Sequence, residues 1–397
     1  MKVTFVVDGL QIGGIERVCC DYSKLFLNLG WKVNIINLRP KLTALEDEIP
    51  EKCTVYHVNY SRKLAPEQYA QFVKRSSIGR YIYPVVFAIL SVLNLFYKIL
   101  LKFTHKELRE KQDLVIAFSS HFNDLTFVSN NYVSSKHRMC WLHGALYGYL
   151  LISDGFVNLY NKIRNLVVLV DDAQEEVLTT NKQLHLNIHK LYNPTFILNR
   201  KVDEQRVSEL KEKYGKYLLM VSRFEYPHKD QFTVVKAFQI LRNQYQDNVD
   251  LVFVGDGPDQ QRVLDEVNSL GVLSTHIHFE GSRIDVQNYY SSATLLVHAS
   301  VAGEGLPTVQ LEAMAYNLPQ VVTDSKVGPR EILEDNKYGL LCKVQDPEDM
   351  ANKIHMLLHN DELYSHYQDV GKERLKDFLP STIQMKLKAI VDEVISQ

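Results

Sequence analysis

Apolar and polar positions along this chain keep switching between a period of two and a period near that of a helix. Residues 3–8 form a short apolar run of strand type, followed by a glycine-bearing loop, 9–14. Ile15, Val18, Cys19, Tyr22, Leu25, Phe26 and Leu29 then recur at helical spacing until Gly30, and 32–38 reads as the next strand. A strand, a helix and a second strand joined in this way build a parallel sheet. Further strands are expected at 113–118, 138–142 and 166–170. After Asn193-Pro194 the alternation restarts. Strands at 217–222, 250–255, 276–280, 294–298 and 320–323 alternate with helices at 232–245, 259–270, 285–293 and 308–316. The expectation is an α/β protein of two doubly wound, Rossmann-like domains, 1–195 and 196–380, with a last helix, 381–397, packing back across them. Ligands of such sheets sit beyond the carboxyl ends of the strands, so two facing sheets would share a central cleft.

One segment breaks the pattern. From Tyr81 to Tyr97 no residue is charged. Ser91, Asn94, Lys98, Lys102 and His105 step by three or four, so they form one narrow polar stripe on a helix spanning 81–105 whose remaining surface is apolar. Pro84 fits its first turn. The uncharged stretch is short for a membrane span, and the polar stripe argues against spanning. Two arrangements stay open. The helix lies in a membrane interface with its lysines at the headgroups, or it packs on the sheet with its polar stripe in water.

Charge bears on that choice. Between Asn59 and Lys111 there are ten Lys/Arg against three Asp/Glu, a local +7 in a chain of net charge −2, which leaves −9 elsewhere. Such asymmetry points to an anionic surface partner, a membrane, met peripherally on the inner face. The small net charge supplies no global basic field, so nucleic acid is not expected as a partner. The five cysteines form no C-x-x-C pair and read as reduced thiols of a cytoplasmic protein. The apolar run at the amino terminus is too short for a signal peptide.

The densest chemistry lies at 304–314. Glu304 stands in a loop and Glu312 eight residues on, inside a helix, so one carboxylate can meet a sugar and the other a second polyol such as ribose. Between them Leu306, Thr308 and Val309 supply backbone amides at a helix start, where free N–H groups and the dipole suit a phosphate, and Pro307 presets the backbone there. Arg223 and Lys229, close together on one loop, can supply two cations to a diphosphate. Gly13 and Gly14 allow close backbone approach or form a plain tight turn. His143 ends a strand, where it is either a site residue or a satisfied core histidine; His121 and Asp124 end another. Arg283 is a base-cradling candidate or a surface arginine. No Asp-x-Asp pair stands at a strand end, Asp171-Asp172 is not that motif, and no His/Cys cluster with zinc spacing was recognised, so no metal is expected.

The run E-G-L-P-T-V-Q-L-E-A-M-A resembles the E-x7-E signature of retaining glycosyltransferases of family 4, which have the GT-B fold. Gly13-Gly14 within G-G-I-E-R-V, V-S-R followed by Lys229, V-G-D-G-P at 254–258, G-P-R-E-I-L at 328–333 and Leu142-His143-Gly144 match further family features. The resemblance implies roles for Arg223 and Lys229 on the diphosphate, His143 near the donor sugar and Arg283 near the base. It also implies retention of configuration, the departing phosphate oxygen taking the acceptor proton. Glu304 is followed by Gly-Leu-Pro-Thr rather than the frequent Gly-Phe-Gly, a variant resembling bacterial polysaccharide and glycolipid glycosyltransferases.

The expected function is transfer of a hexose or N-acetylhexosamine from a UDP-sugar, a substrate and not a cofactor, to a lipid-linked or polysaccharide glycan. Rival readings are a UDP-sugar epimerase on the same fold and a non-catalytic sugar-nucleotide-binding scaffold.

Overall fold

The computed structural model describes residues 1–11, 13–70, 77–119, 122–143, 155–171, 175, 183–196, 200–301, 304–326 and 328–397. Two compact units result, Met1–Pro194 together with Pro380–Gln397, and Thr195–Leu379.

The first unit is built on a seven-stranded sheet of order β3-β2-β1-β4-β5-β6-β7. Its strands are β1 (Lys2–Val7), β2 (Lys32–Asn37), β3 (Thr54–His57), β4 (Gln112–Ala117), β5 (Ser135–Leu142), β6 (Asn165–Val168) and β7 (Asn187–Lys190). Every pairing is parallel. Val3, Phe5, Val6 and Val7 of β1 are all buried, because helices cover both faces of a parallel sheet and an unbroken apolar run is what two covers demand. The last helix, Pro380–Ser396, belongs to this unit: Asn187 bonds to Gln397 at 3.0 Å, and Lys386 lies over the Tyr192 ring.

The second unit has a six-stranded parallel sheet of order β10-β9-β8-β11-β12-β13. Its strands are β8 (Tyr217–Val221), β9 (Asp250–Val254), β10 (Ile277–Phe279), β11 (Leu295–His298), β12 (Gln320–Thr323) and β13 (Leu340–Cys342). Alternate residues feed two cores. Leu218, Met220, Leu251, Phe253, Leu295 and Val297 enter one. Tyr217, Leu219, Val252, Val254 and Leu296 enter the other. The fold is therefore the expected pair of Rossmann-like α/β domains. Strands β3, β7 and β13 were not foreseen. Each is three or four residues long at a sheet edge, too short for a periodic signal.

The helix Ser77–Thr104 corrects both arrangements considered above. Its polar stripe faces the protein, not water or headgroups: Asn94 Oδ1 accepts from the Tyr132 hydroxyl at 2.6 Å, Lys98 donates to the Asn130 carbonyl at 3.3 Å, and Lys102 donates to Ser134 Oγ at 3.2 Å. The apolar face points outward. Tyr81, Phe96 and Phe103 are 84, 66 and 79% exposed, and Val85, Ile89, Val92, Ile99 and Leu100 lie open beside them. Three polar side chains of the stripe, Asn94, Lys98 and Lys102, thus hold the helix to the unit by hydrogen bonds, with the apolar face left outward.

Candidate active site

Beyond the carboxyl ends of β8, β9 and β11 three loops are locked together. The loop after β8 is pinned by Gln231, whose amide donates to Ser222 Oγ at 3.0 Å and to the Arg223 carbonyl at 2.9 Å. Asp230 caps the helix Gln231–Ile240 by accepting from Thr233 N–H at 3.1 Å, and its own N–H reaches Ala299 O at 2.9 Å. The V-G-D-G-P loop after β9 presses against the same segment. At Gly255, with φ +137°, an added Cβ would fall 2.0 Å from Ser222 O, and at Gly257 2.4 Å from Phe224 O. Both glycines serve close backbone approach, which no other residue permits.

Within this frame Lys229 Nζ donates to Glu304 Oε1 at 2.7 Å. His298, at the end of β11, sits 2.9 Å from the same oxygen. Burial works to raise the Glu304 carboxyl, but His298 and Lys229 together offset it and bring it down to about 2. Burial, reinforced by Lys229, lowers the His298 imidazole. The ring is therefore neutral, donates from Nε2 to the carboxylate, and leaves a buried Nδ1 without a hydrogen-bond partner among the described residues. A carboxylate kept ionised at low exposure, beside a cation, is an expensive arrangement that occurs where charge is used.

The Glu304 loop is fixed from below by Gly328, whose N–H donates to the Glu304 carbonyl at 3.1 Å. A Cβ at 328 would lie 1.9 Å from Gly305 O. Pro307 then opens the helix Thr308–Ala315 with no side-chain cap. Gln310 N–H is satisfied by Pro307 O at 3.2 Å, while Thr308 is exposed and Val309 half-buried at the uncapped end. Leu306 is buried just before it. Farther along, Glu312 Oε2 accepts from the Tyr290 hydroxyl at 2.7 Å, and burial pushes its carboxyl up against the pull of Tyr290 and Arg200.

Other anticipated residues stand apart from the Lys229–Glu304–His298 cluster. The two loop cations were expected to act side by side, yet Arg223 points into solvent, 73% exposed, and pairs with Glu225 at 3.3 Å. Arg283 is held at 2.8 Å by Glu280. Burial tends to raise that carboxyl, but the Tyr214 and Tyr289 hydroxyls and the Lys213 ammonium bring it to about 2. In the first unit Gly13 precedes the helix Gly14–Asn28 in extended conformation, and a Cβ at Gly14 would meet open space. His143 Nε2 donates to Phe118 O at 2.8 Å, and its ring packs on Phe118. Asp124 is buried in the helix Phe122–Ser129. His121, Gly144 and Asp172 lie outside the described residues. Sequence reasoning gave no role to His298, Tyr290 or Gly328; two signals were present, His298 at the end of a strand and Gly328 at the start of the G-P-R-E-I-L motif.

Residues 201–374 match the family model of glycosyl transferases group 1. Over 95% of its length and 95% of the relative's, the chain is 24% identical to N-acetylgalactosamine-N,N'-diacetylbacillosaminyl-diphospho-undecaprenol 4-alpha-N-acetylgalactosaminyltransferase of Campylobacter jejuni. An uncharacterised glycosyltransferase of Haemophilus influenzae is likewise 24% identical, over 94% of this chain and 95% of the relative. Among solved structures, HepE of Anabaena in complex with UDP superposes with a TM-score of 0.71 at 19% identity, covering 99% of this chain and 100% of that one. A glycosyltransferase from Rickettsia africae gives 0.73 at 18% identity, covering 100% and 99%. The resemblance to glycosyltransferases read from the motifs thus extends over the whole chain, and the fold is that of GT-B glycosyltransferases.

Proposed function

We propose that this chain is a retaining glycosyltransferase, moving a hexose or N-acetylhexosamine from a UDP-sugar to a glycan on a lipid carrier or polysaccharide without a metal at the diphosphate. One observation carries the reading: Glu304 is held ionised by Lys229 and His298 immediately before the uncapped start of the helix Thr308–Ala315. The UDP in the HepE complex and the diphospho-undecaprenol in the name of the Campylobacter relative supply the substrate classes.

The leaving diphosphate gathers charge as the glycosidic bond breaks. Lys229 and the Thr308 and Val309 amides are aimed at that charge, with Arg223 swinging in from solvent. Glu304, ionised and nearly buried, accepts from donor-sugar hydroxyls and opposes the positive charge that grows on the sugar ring. Glu312, with Tyr290, takes the ribose, and Arg283 flanks the base. The motif resemblance also gives donor-binding roles to Gly13, Gly14 and His143. The acceptor attacks on the face the nucleotide leaves, and its proton goes to the departing phosphate oxygen.

The exposed apolar face of the helix Ser77–Thr104, bordered by the basic run from Arg62 to Lys111, supports peripheral docking on the inner face of an anionic membrane, where a lipid-linked acceptor resides. The direct test of the chemistry is UDP release with acceptor-bearing membranes, wild type against Glu304→Gln. Release that persists undiminished in the variant rejects the assignment.

A further inference from the structure

At the opposite end of the second sheet, near the amino ends of its strands, a second cluster has no part in the chemistry above. The helix Gln231–Ile240 ends in a wider turn, Leu241–Tyr245, and Gln246 follows in left-handed conformation. That reversal aims Asp247 at the helix Pro347–Leu358, which packs on the first helix. His355, on its last turn, and His359, one residue beyond its end, stand four apart, so both rings fall on one side.

His355 Nδ1 lies 2.9 Å from Asp247 Oδ2, and His359 Nε2 lies 2.5 Å from Asp247 Oδ1. The three potential ligand atoms all lie within 4.8 Å of one another. Among the described residues this is the one group of three or more histidines, cysteines or carboxylates so arranged. The Asp247 side chain is only 3% exposed, against 34% for His355 and 57% for His359. Its main chain is tied down on both sides, with N–H to Leu241 O at 3.0 Å and the carbonyl accepting from Arg242 at 3.3 Å. Tyr245 stacks on His355 with ring centroids 4.2 Å apart, fixing that imidazole's plane. A cavity of about 280 Å³, bordered by Lys216, Asn248 and His359, opens beside the carboxylate.

We infer that Asp247, His355 and His359 form a divalent-metal site of the zinc type, which clamps the end of one helix to another in the second unit. Two imidazoles and a carboxylate are borderline ligands suited to zinc. Tetrahedral bonds of about 2.0–2.1 Å place ligand atoms about 3.4 Å apart, so a bound ion replaces the two hydrogen bonds of 2.9 and 2.5 Å and the rings draw back by roughly 0.5–1 Å. The nearby cavity leaves room for a fourth, water or anionic, ligand, and the Lys216 ammonium at its rim favours an anionic one. This pair of histidines was not singled out in the sequence, because the third member lies more than a hundred positions upstream and only the fold brings it to them. Because the cluster sits at the strands' amino ends, the ion is a structural clamp, separate from the donor chemistry.

The test uses the full chain, freed of any affinity tag and dialysed against chelator, titrated with zinc and with cobalt. Expected are one saturable equivalent by calorimetry, a rise in Tm with zinc, and the visible absorption of four-coordinate cobalt. His355→Gln and His359→Gln should each weaken binding by at least about tenfold and abolish the Tm rise. His278→Gln, which removes a similar histidine–aspartate contact to Asp250 at 2.7 Å, should leave all three readings unchanged. Absence of a saturable equivalent overturns the proposal. So does zinc binding that survives in both His355→Gln and His359→Gln. None of these readings depends on transferase activity.

Discussion

Lys229 Nζ rests 2.7 Å from Glu304 Oε1, two residues 75 positions apart that the sheet delivers to one point. Each neutralises the other. In the proposed reading, a bound diphosphate gives the ammonium a second anion and frees the carboxylate for sugar hydroxyls. Lys229→Ala therefore removes the cation and strands a nearly buried carboxylate. UDP affinity, measured by calorimetry, should fall by about tenfold to a hundredfold, as expected for losing a charge-assisted bond of about 1.5–3 kcal/mol. Unchanged UDP affinity would exclude Lys229 from the diphosphate.

His298 touches no solvent and orients Glu304 through one hydrogen bond of 2.9 Å. His298→Asn keeps a donor of smaller reach, whereas His298→Leu removes it. The leucine variant should lose kcat by about tenfold or more with little change in KM, and asparagine should recover part of it. Equal damage from both would mean a packing role only.

Gly328 supports the Glu304 loop by contact between main chains. Gly328→Ala forces a Cβ into Gly305 O, and the loop must move. A loss of about 1–3 kcal/mol in denaturant unfolding, together with a drop in kcat, is expected. An alanine variant as active and stable as the wild type would show that the loop is not fixed from this side.

Acid should weaken the second unit in a defined window. Glu304 and Glu280 are both held near a pKa of about 2 in the fold, below the ordinary carboxylate value near 4.5. A depressed folded pKa contributes stability that is complete above the unfolded value and is lost as pH falls through the folded one. The loss thus runs from about pH 4.5 down to about 2. The lowered His298 imidazole acts in the same direction, beginning below its ordinary value near 6.5. Glu304→Gln should flatten the slope of unfolding free energy against pH across that window. A slope identical to wild type would contradict the ionised carboxylate.

The outward face of the helix Ser77–Thr104 should bind anionic vesicles. Phe96→Asp with Ile99→Asp, both on the exposed face and outside the Asn94, Lys98 and Lys102 stripe, should abolish flotation with phosphatidylglycerol vesicles while UDP binding is retained. Flotation of the double variant at the wild-type level would remove this face from membrane contact.

What the sequence determined is local and periodic. Short, mostly apolar runs such as 3–7 and 217–221 read as strands covered on both faces, and their alternation with amphipathic helices pointed to two parallel sheets. The turn before Thr308, with its prolyl start and flanking glutamates, was equally legible, because a helix start and its free amides are properties of a few consecutive residues. Other features required the fold. His298 became a partner of Glu304, and Gly328 a support of its loop, only when separate strands ended side by side. Arg223 was read with Lys229 by proximity in sequence, yet its side chain lies in solvent and pairs with Glu225. The stripe of the 77–104 helix was drawn correctly, and its direction was not, since periodicity fixes which residues share a face but not which way that face turns. That is decided by the partners a fold supplies: Tyr132, Asn130 and Ser134 for this stripe, and Asp247 for His355 and His359.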